Sequence, residues 1–264
     1  MTRFSSQTDS EGRRIPLYDA DGFAGMRKAG RLAAATLDFI APHVQAGIST
    51  AELDRLCDQF MRDAGAIPGT VGYHGYQHAS CVSVNHVVTH GIPGDKVLAD
   101  GDIVNIDVTP IVEGWFGDTS RTFLVGEVRT LAKRLVDTTF EAMMAGIDII
   151  RPGTTLGDVG AAIEAVARRE RFSVVRDFCG HGLGRVFHDA PLVMHYGKAG
   201  TGVVLEPGMF FTVEPMLNAG KAEVKILADG WTTVTRDRSL SAQFEHSVGV
   251  TEDGVEIFTP WAVS

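Results

Sequence analysis

The chain has 264 residues, 44% of them hydrophobic and 22% charged, with a formal net charge of −9. That length and apolar content suit one substantial core, and an acidic balance with no Lys/Arg-rich run argues against nucleic-acid or acidic-membrane partners. The three cysteines, Cys57, Cys81 and Cys179, are an odd number without close spacing, which argues against a disulfide scaffold and suits a reducing cytoplasm. No apolar window approaches the ~18 residues of a membrane span, and the N-terminus has no secretory h-region. The expectation is a cytoplasmic protein whose residues 1–18 form a flexible, loosely held arm.

In chain order, apolar periodicity predicts a helix from about Asp21 to Gln45, stopped at Gly47 by a C-terminal cap. Ser49-x-x-Glu52 has the form of a capping box opening a second helix to about Ala64, followed by Gly65. Strand-like runs follow at CVSV from Cys81, IVNIDVTPIV from Ile103 and SRTFLVG from Ser120. A third helix is expected from about Thr130 to Ile150, and Thr155-x-x-Asp158 opens a fourth, to about Arg171. Strands return at MFFTVEPML from Met209, WTTVT from Trp231, SAQFEHSVGV from Ser241 and VEIF from Val255.

Helix, helix, strands thus occurs twice, and the spacing supports a repeat. Gly47 and Gly153, each before a cap, lie 106 residues apart; GDIVNID and GMFFTVE place Gly101 on Gly208 and Asp107 on Glu214, 107 apart. His90-x-x-Pro93 has an echo in His188-x-x-Pro191. The chain reads as a single α+β domain over 19–264 built of two halves, about 19–126 and 127–260. Their relation by a pseudo-two-fold axis sets Asp107 opposite Glu214.

The acids are the unusual feature. In NIDVT, alternation puts Asn105 and Asp107 on one strand face; in SAQFEHSV, Gln243 and Glu245 share a face and Phe244 takes the other. Glu214 precedes a proline that ends its ladder, and Asp118 follows Gly117 after a hairpin. Any one of these acids is most simply a strand-end residue or an ion-pair partner. Four carboxylates among apolar strands repel one another unless cations lie between them, so together they favour a metal site.

His181, flanked by Gly180 and Gly182 in CGHGLGRVFHDAP, adds an imidazole in a glycine-rich turn where the backbone can approach a neighbour closely. Carboxylates with one imidazole suit Mn²⁺, Fe²⁺ or Co²⁺ better than a structural thiolate zinc site, and Zn²⁺ stays open. Five other histidines (His43, His78, His86, His195, His246) read as ordinary core or surface residues. Two metals about 3.5–4 Å apart would activate a water and polarise a carbonyl, giving hydrolysis without a protein nucleophile. No G-x-S-x-G elbow, phosphate loop, dinucleotide fingerprint or H-E-x-x-H is present.

The runs GYHGY, NHVVTHGIP, DGDIVNIDV, GDTSRTFLVG, GHGLGRVFH, TVEPML and DRSLSAQFEHSV, in that order, resemble type I methionine aminopeptidases in their short, bacterial-like form. The resemblance spans about Asp19 to Phe258. It implies the pita-bread fold, two α/β halves with antiparallel sheets around a central dinuclear metal site. It further implies that Asp107 holds one metal, that Asp118 and Glu245 bridge two, and that His181 and Glu214 complete the second. His90 and His188 match the family's substrate-contacting histidines, and Glu214 its acid/base. Tyr73, Tyr76, Cys81, Phe187 and Trp231 match the methionine pocket, where a thioether packs well against aromatic rings and sulfur. The implied substrate is a peptide or nascent-chain N-terminus with a small second residue. A monomer with transient ribosome association is implied too, although no basic patch is evident. Thr70, His86 and Thr89 depart from the family's usual residues, which bears on the pocket and not on the ligands. A proline-directed aminopeptidase or dipeptidase, and a non-catalytic pita-bread binding protein, are the competing assignments.

Overall fold

A computed structural model describes residues 3–262; the outermost residues of the expected arm and domain, 1–2 and 263–264, lie outside them. Among the described residues four α-helices, α1 (Ala20–Ile40), α2 (Thr50–Asp63), α3 (Thr130–Asp148) and α4 (Leu156–Arg169), pack as two pairs, α1 with α2 and α3 with α4. Asp19 caps α1 by accepting the N–H groups of Asp21 and Gly22, both at 3.2 Å. The first helix stops at Ile40, short of the expected Gln45, because Pro42 turns the chain into a 3₁₀ turn over Ala41–His43. Gly47 therefore caps nothing. It bends the loop with φ +96° and donates to Leu98 O at 2.9 Å.

Ser49 accepts from Glu52 N at 3.2 Å, while the Glu52 carboxylate turns outward to Arg55, so only half of the expected capping box forms. The other cap is complete: Thr155 Oγ1 accepts from Asp158 N, and Thr155 N donates to Asp158 Oδ2 at 2.8 Å. Both second helices end alike. Gly65 (φ +79°) and Arg171 (φ +62°), 106 residues apart, each take the left-handed conformation, and the next residue donates back to the carbonyl five before it.

The arm expected over residues 1–18 is a correction. Strands β1 (Arg3–Thr8) and β2 (Arg14–Leu17) form an antiparallel hairpin. Ile15 is fully buried in the main core, and Ser5 and Gln7 donate to Glu206. A buried isoleucine and paired strands fix a segment whose composition alone suggested a free end.

The first half holds a sheet ordered β3 (Ser80–Val84), β4 (Ile103–Val108), β5 (Thr119–Leu124), all antiparallel. The second holds a five-stranded sheet made of β7 (Asp189–Val193), β6 (Gly180–Gly182), β8 (Phe210–Val213), β11 (His246–Val250) and β12 (Val255–Ile257). Two predicted long strands break. MFFTVEPML leaves β8 at Glu214–Pro215 and resumes as β9 (Met216–Asn218) in another sheet, beside β10 (Ser241–Gln243). SAQFEHSVGV likewise changes sheet between β10 and β11, at Phe244–Glu245. An isolated bridge, Ser120 to Glu245, joins the two halves.

The repeat is visible in matching contacts. Bridges Ser49–Val97 and Thr155–Val204 correspond, as do Gly101 (φ +91°) and Gly208 (φ +94°). One core, including Leu37, Leu53, Ile106, Leu135, Val159, Phe211 and Val248, runs through both halves. No helix among the described residues is long and apolar enough to cross a membrane.

Candidate metal centre

Asp107 lies on β4 with Cys81 and Ser120 as its cross-strand neighbours. After Val108 the chain leaves the sheet, pairs Pro110–Val112 with Trp115–Phe116, and re-enters at Thr119. Asp118 stands at that re-entry, 4% exposed, where Gly117 packs against the Ala29 carbonyl too tightly for a Cβ. Thr109 Oγ1 donates to Asp118 Oδ1 at 2.7 Å. Glu214 and Glu245 occupy the two points where strands change sheet. Glu245, 2% exposed, is pinned by its backbone N–H to Ser120 O at 3.0 Å.

His181 sits in strand β6, not in the turn expected from its glycines. Gly180 and Gly182 serve neighbouring strands: a Cβ on either would collide with the carbonyl of Thr212 or of Ala190. His181 Nδ1 lies 3.0 Å from Gly182 O; a carbonyl only accepts, so Nδ1 carries the proton. The Nε2 lone pair is then turned toward Asp118 Oδ2 at 3.5 Å and Glu214 Oε1 at 3.6 Å. Asp118, His181 and Glu245 each bring a ligand atom within 4.8 Å of the others, all three buried.

The electrostatics call for a cation. Burial, followed by the negative charges of Asp118 and Glu214, pushes the Asp107 carboxyl well above its ordinary range. Glu245 moves the same way for the same reasons. Burial also raises Glu214, although His181 and the Thr212 hydroxyl oppose the shift. Burial would lower the His181 imidazole, yet Asp118 and Glu214 outweigh it and hold it above its ordinary value. Asp107 Oδ1 is shut off from solvent without a hydrogen-bond partner among the described residues. Among the described residues, Arg13 is the one lysine or arginine lining the cavity, and it is paired with Asp9 at 2.8 Å. Four acids and an outward imidazole lone pair fit divalent metal binding.

All twelve residues singled out in the sequence line one cavity of about 350 Å³: the five above with His90, His188, Tyr73, Tyr76, Cys81, Phe187 and Trp231. Its aromatic side is tightly built. Tyr76 lies 4.9 Å from Trp231 and donates to Ser80 O; Tyr73 meets Phe187 at 4.8 Å and His188 at 5.2 Å. His90 takes a left-handed φ of +55°, strained for a side chain with a Cβ. Burial pushes His90 down to about 4 and His188 to about 3, so both rings are neutral near pH 7. Thr70 and Thr89 line the cavity; His86 does not.

The sequence reading missed the groups that hold the acids. Gln243 Nε2 donates to Glu214 Oε2 at 3.2 Å, and Thr212 Oγ1 donates to Glu214 Oε1 at 2.7 Å. His195, set aside as ordinary, is fully buried, and its Nε2 accepts the Glu214 N–H at 3.1 Å. A signal was there. Asn105–Asp107, Thr212–Glu214 and Gln243–Glu245 each put a polar residue two positions before an acid, hence on its strand face.

The profile of metallopeptidase family M24 matches residues 24–252. The chain belongs to metallopeptidase family M24. Within that family, the methionine aminopeptidase of Rickettsia prowazekii is 55% identical over 246 residues, 93% of this chain and 95% of the relative. The crystal structure of that organism's methionine aminopeptidase superposes with a TM-score of 0.92, covering 93% of this chain and 100% of the other. The Escherichia coli K12 methionine aminopeptidase is 52% identical over 93% of this chain and 94% of its own length. A prolidase from Pyrococcus furiosus, 19% identical with a TM-score of 0.75 over 94% of this chain and 66% of its own, shares the fold alone. The pita-bread fold that the resemblance implied is the observed one.

Proposed function

We propose that this M24 metallopeptidase removes the N-terminal methionine from peptides and nascent chains whose second residue is small. That it is a metal-dependent aminopeptidase follows from its family and from relatives more than half identical over nearly its whole length. The observation that carries the site assignment is four buried carboxylates lining one cavity with His181, whose Nε2 lies 3.5 Å from Asp118 and 3.6 Å from Glu214, and, among the described residues, no lysine or arginine of that cavity free to neutralise them. In this assignment Asp107, Asp118, His181, Glu214 and Glu245 would hold the divalent metal. Mn²⁺, Fe²⁺ or Co²⁺ suits these donors, with Zn²⁺ next.

Divalent metal bound here supplies a Lewis acid for the scissile carbonyl and lowers the pKa of a water. The rest falls to the chain. Glu214, whose surroundings raise its proton affinity and whose two oxygens are oriented by Thr212 and Gln243, takes a proton from water and returns it to the leaving amine. Neutral His188 hydrogen-bonds the substrate carbonyl and stabilises the charge that grows there. Neutral His90 hydrogen-bonds the scissile amide nitrogen. The methionine thioether lies among Tyr73, Tyr76, Cys81, Phe187 and Trp231, with Cys81 held as the thiol by burial and by Asp107. The free cysteines Cys57, Cys81 and Cys179 support a cytoplasmic location.

A substrate panel tests the assignment. Metal-loaded protein is expected to release methionine from Met-Ala-Ser and to leave Ala-Pro peptides intact. Cleavage of the Xaa-Pro peptides with Met-Ala-Ser untouched would overturn it in favour of the proline-directed activity.

A further inference from the structure

Thr212 is fully buried on β8, and its hydroxyl makes two bonds of opposite sense. It accepts the backbone N–H of His181 at 3.0 Å and donates to Glu214 Oε1 at 2.7 Å. A hydroxyl is the smallest side chain that can do both, since it offers one proton and two lone pairs. His181 lies on β6 and Glu214 just past the end of β8, and the same hydroxyl fixes the backbone of one and the carboxylate of the other. The other Glu214 contacts leave this job undone: Gln243 holds Oε2, and His195 holds the backbone N–H. Neither reaches His181. Thr212 is absent from the cavity wall, so it does not meet substrate.

We propose that Thr212 is a positioning residue that locks His181 and Glu214 into a single preformed ligand pair, so that one of the two metals binds to a site already built. This inference rests on the ligand assignment proposed above. Groups that orient metal ligands are typically worth on the order of 10- to 100-fold in metal affinity or activity, because without them the ligand must be ordered as the ion binds. Valine keeps the size of threonine and puts a methyl where the hydroxyl stood. It removes both bonds and leaves the Glu214 oxygen and the His181 N–H short of a partner.

The test is a calorimetric Mn²⁺ titration of the purified full chain, wild type against Thr212→Val and Thr212→Ser, with methionine release from Met-Ala-Ser measured in parallel. Thr212→Val is expected to weaken one of the two binding events on the order of 10- to 100-fold. It is also expected to lower kcat with little change in peptide KM. Thr212→Ser, which restores the hydroxyl, should recover most of both. If the valine variant fails to fold, as read by its melt in chelator, Thr212→Cys replaces it, with a thiol too weak a donor to stand in for the hydroxyl. Native Mn²⁺ affinity in Thr212→Val or Thr212→Cys overturns the inference, as does a serine variant no better than the valine. Wild-type protein that takes up no Mn²⁺ would instead bring down the ligand assignment, and this inference with it.

Discussion

Replacing Glu245 by glutamine should stabilise the metal-free protein and weaken the metal-loaded one. Glu245 is 2% exposed, and its ligand oxygen lies within 4.8 Å of that of Asp118. Two ionised carboxylates at that distance repel by about 3 kcal/mol at an effective dielectric of about 20. Asp107 and Glu214 add to the repulsion. The neutral amide keeps the shape and the backbone N–H to Ser120 O, and removes the charge. The pH dependence follows from the direction of the shift. Folding raises the Glu245 proton affinity, so the folded state loses stability as pH rises above the ordinary carboxylate range, where the unfolded chain has released the proton. In EDTA at pH 8, Glu245→Gln is therefore expected to melt above wild type. About 3 kcal/mol corresponds to roughly 6 to 12 °C for a domain of this size. With Mn²⁺ at about 100 times its dissociation constant, each occupied site adds about 2.7 kcal/mol to wild type, and the order of the two melts should reverse. Scanning calorimetry in both conditions reads the effect. A glutamine variant that melts below wild type in EDTA would refute the claim that the carboxylates repel one another in the apo fold.

Three further outcomes follow from the structure. Ile15→Ala should cost about 2 to 5 kcal/mol in urea denaturation because it empties a fully buried site; a loss below about 0.5 kcal/mol would restore the loose arm. Arg171→Gly should add about 1 kcal/mol of stability in the same assay by relieving a left-handed residue at the end of α4, the place its repeat partner Gly65 fills with glycine. In NMR titrations of the Zn²⁺-loaded protein, His90 and His188 should show no titration step between pH 5.5 and 8, since burial holds both neutral down to about 4 and 3; a midpoint near 6.5 for either would contradict their burial.

Much of this was legible in the sequence because periodicity, glycine placement and caps all repeat at the same offset. Matching left-handed glycines at 47 and 153, and at 101 and 208, are local requirements that a chain cannot hide. Strand ends were less legible. Pattern alone cannot tell that MFFTVEPML and SAQFEHSVGV each change sheet midway, because both halves of each run remain buried. Those breaks put Glu214 and Glu245 where they are, so the sequence named the acids without saying why they could converge. The hairpin at the N-terminus was misjudged because its fully buried Ile15 follows a polar run from Ser5 to Arg14, and its partners Val204 and Glu206 lie some two hundred residues away. His195 was overlooked for a related reason: its contact with the Glu214 backbone spans nineteen residues and leaves no periodic trace.

Asp107, Asp118, His181, Glu214 and Glu245 are proposed to hold two divalent ions. Anomalous diffraction at the manganese edge, on crystals of the full chain grown with Mn²⁺, tests it most directly. Two peaks about 3.5–4 Å apart are expected, with Asp118 and Glu245 touching both, Asp107 touching one, and His181 with Glu214 touching the other. Strong manganese peaks elsewhere in the molecule, with none among these five side chains, would contradict it.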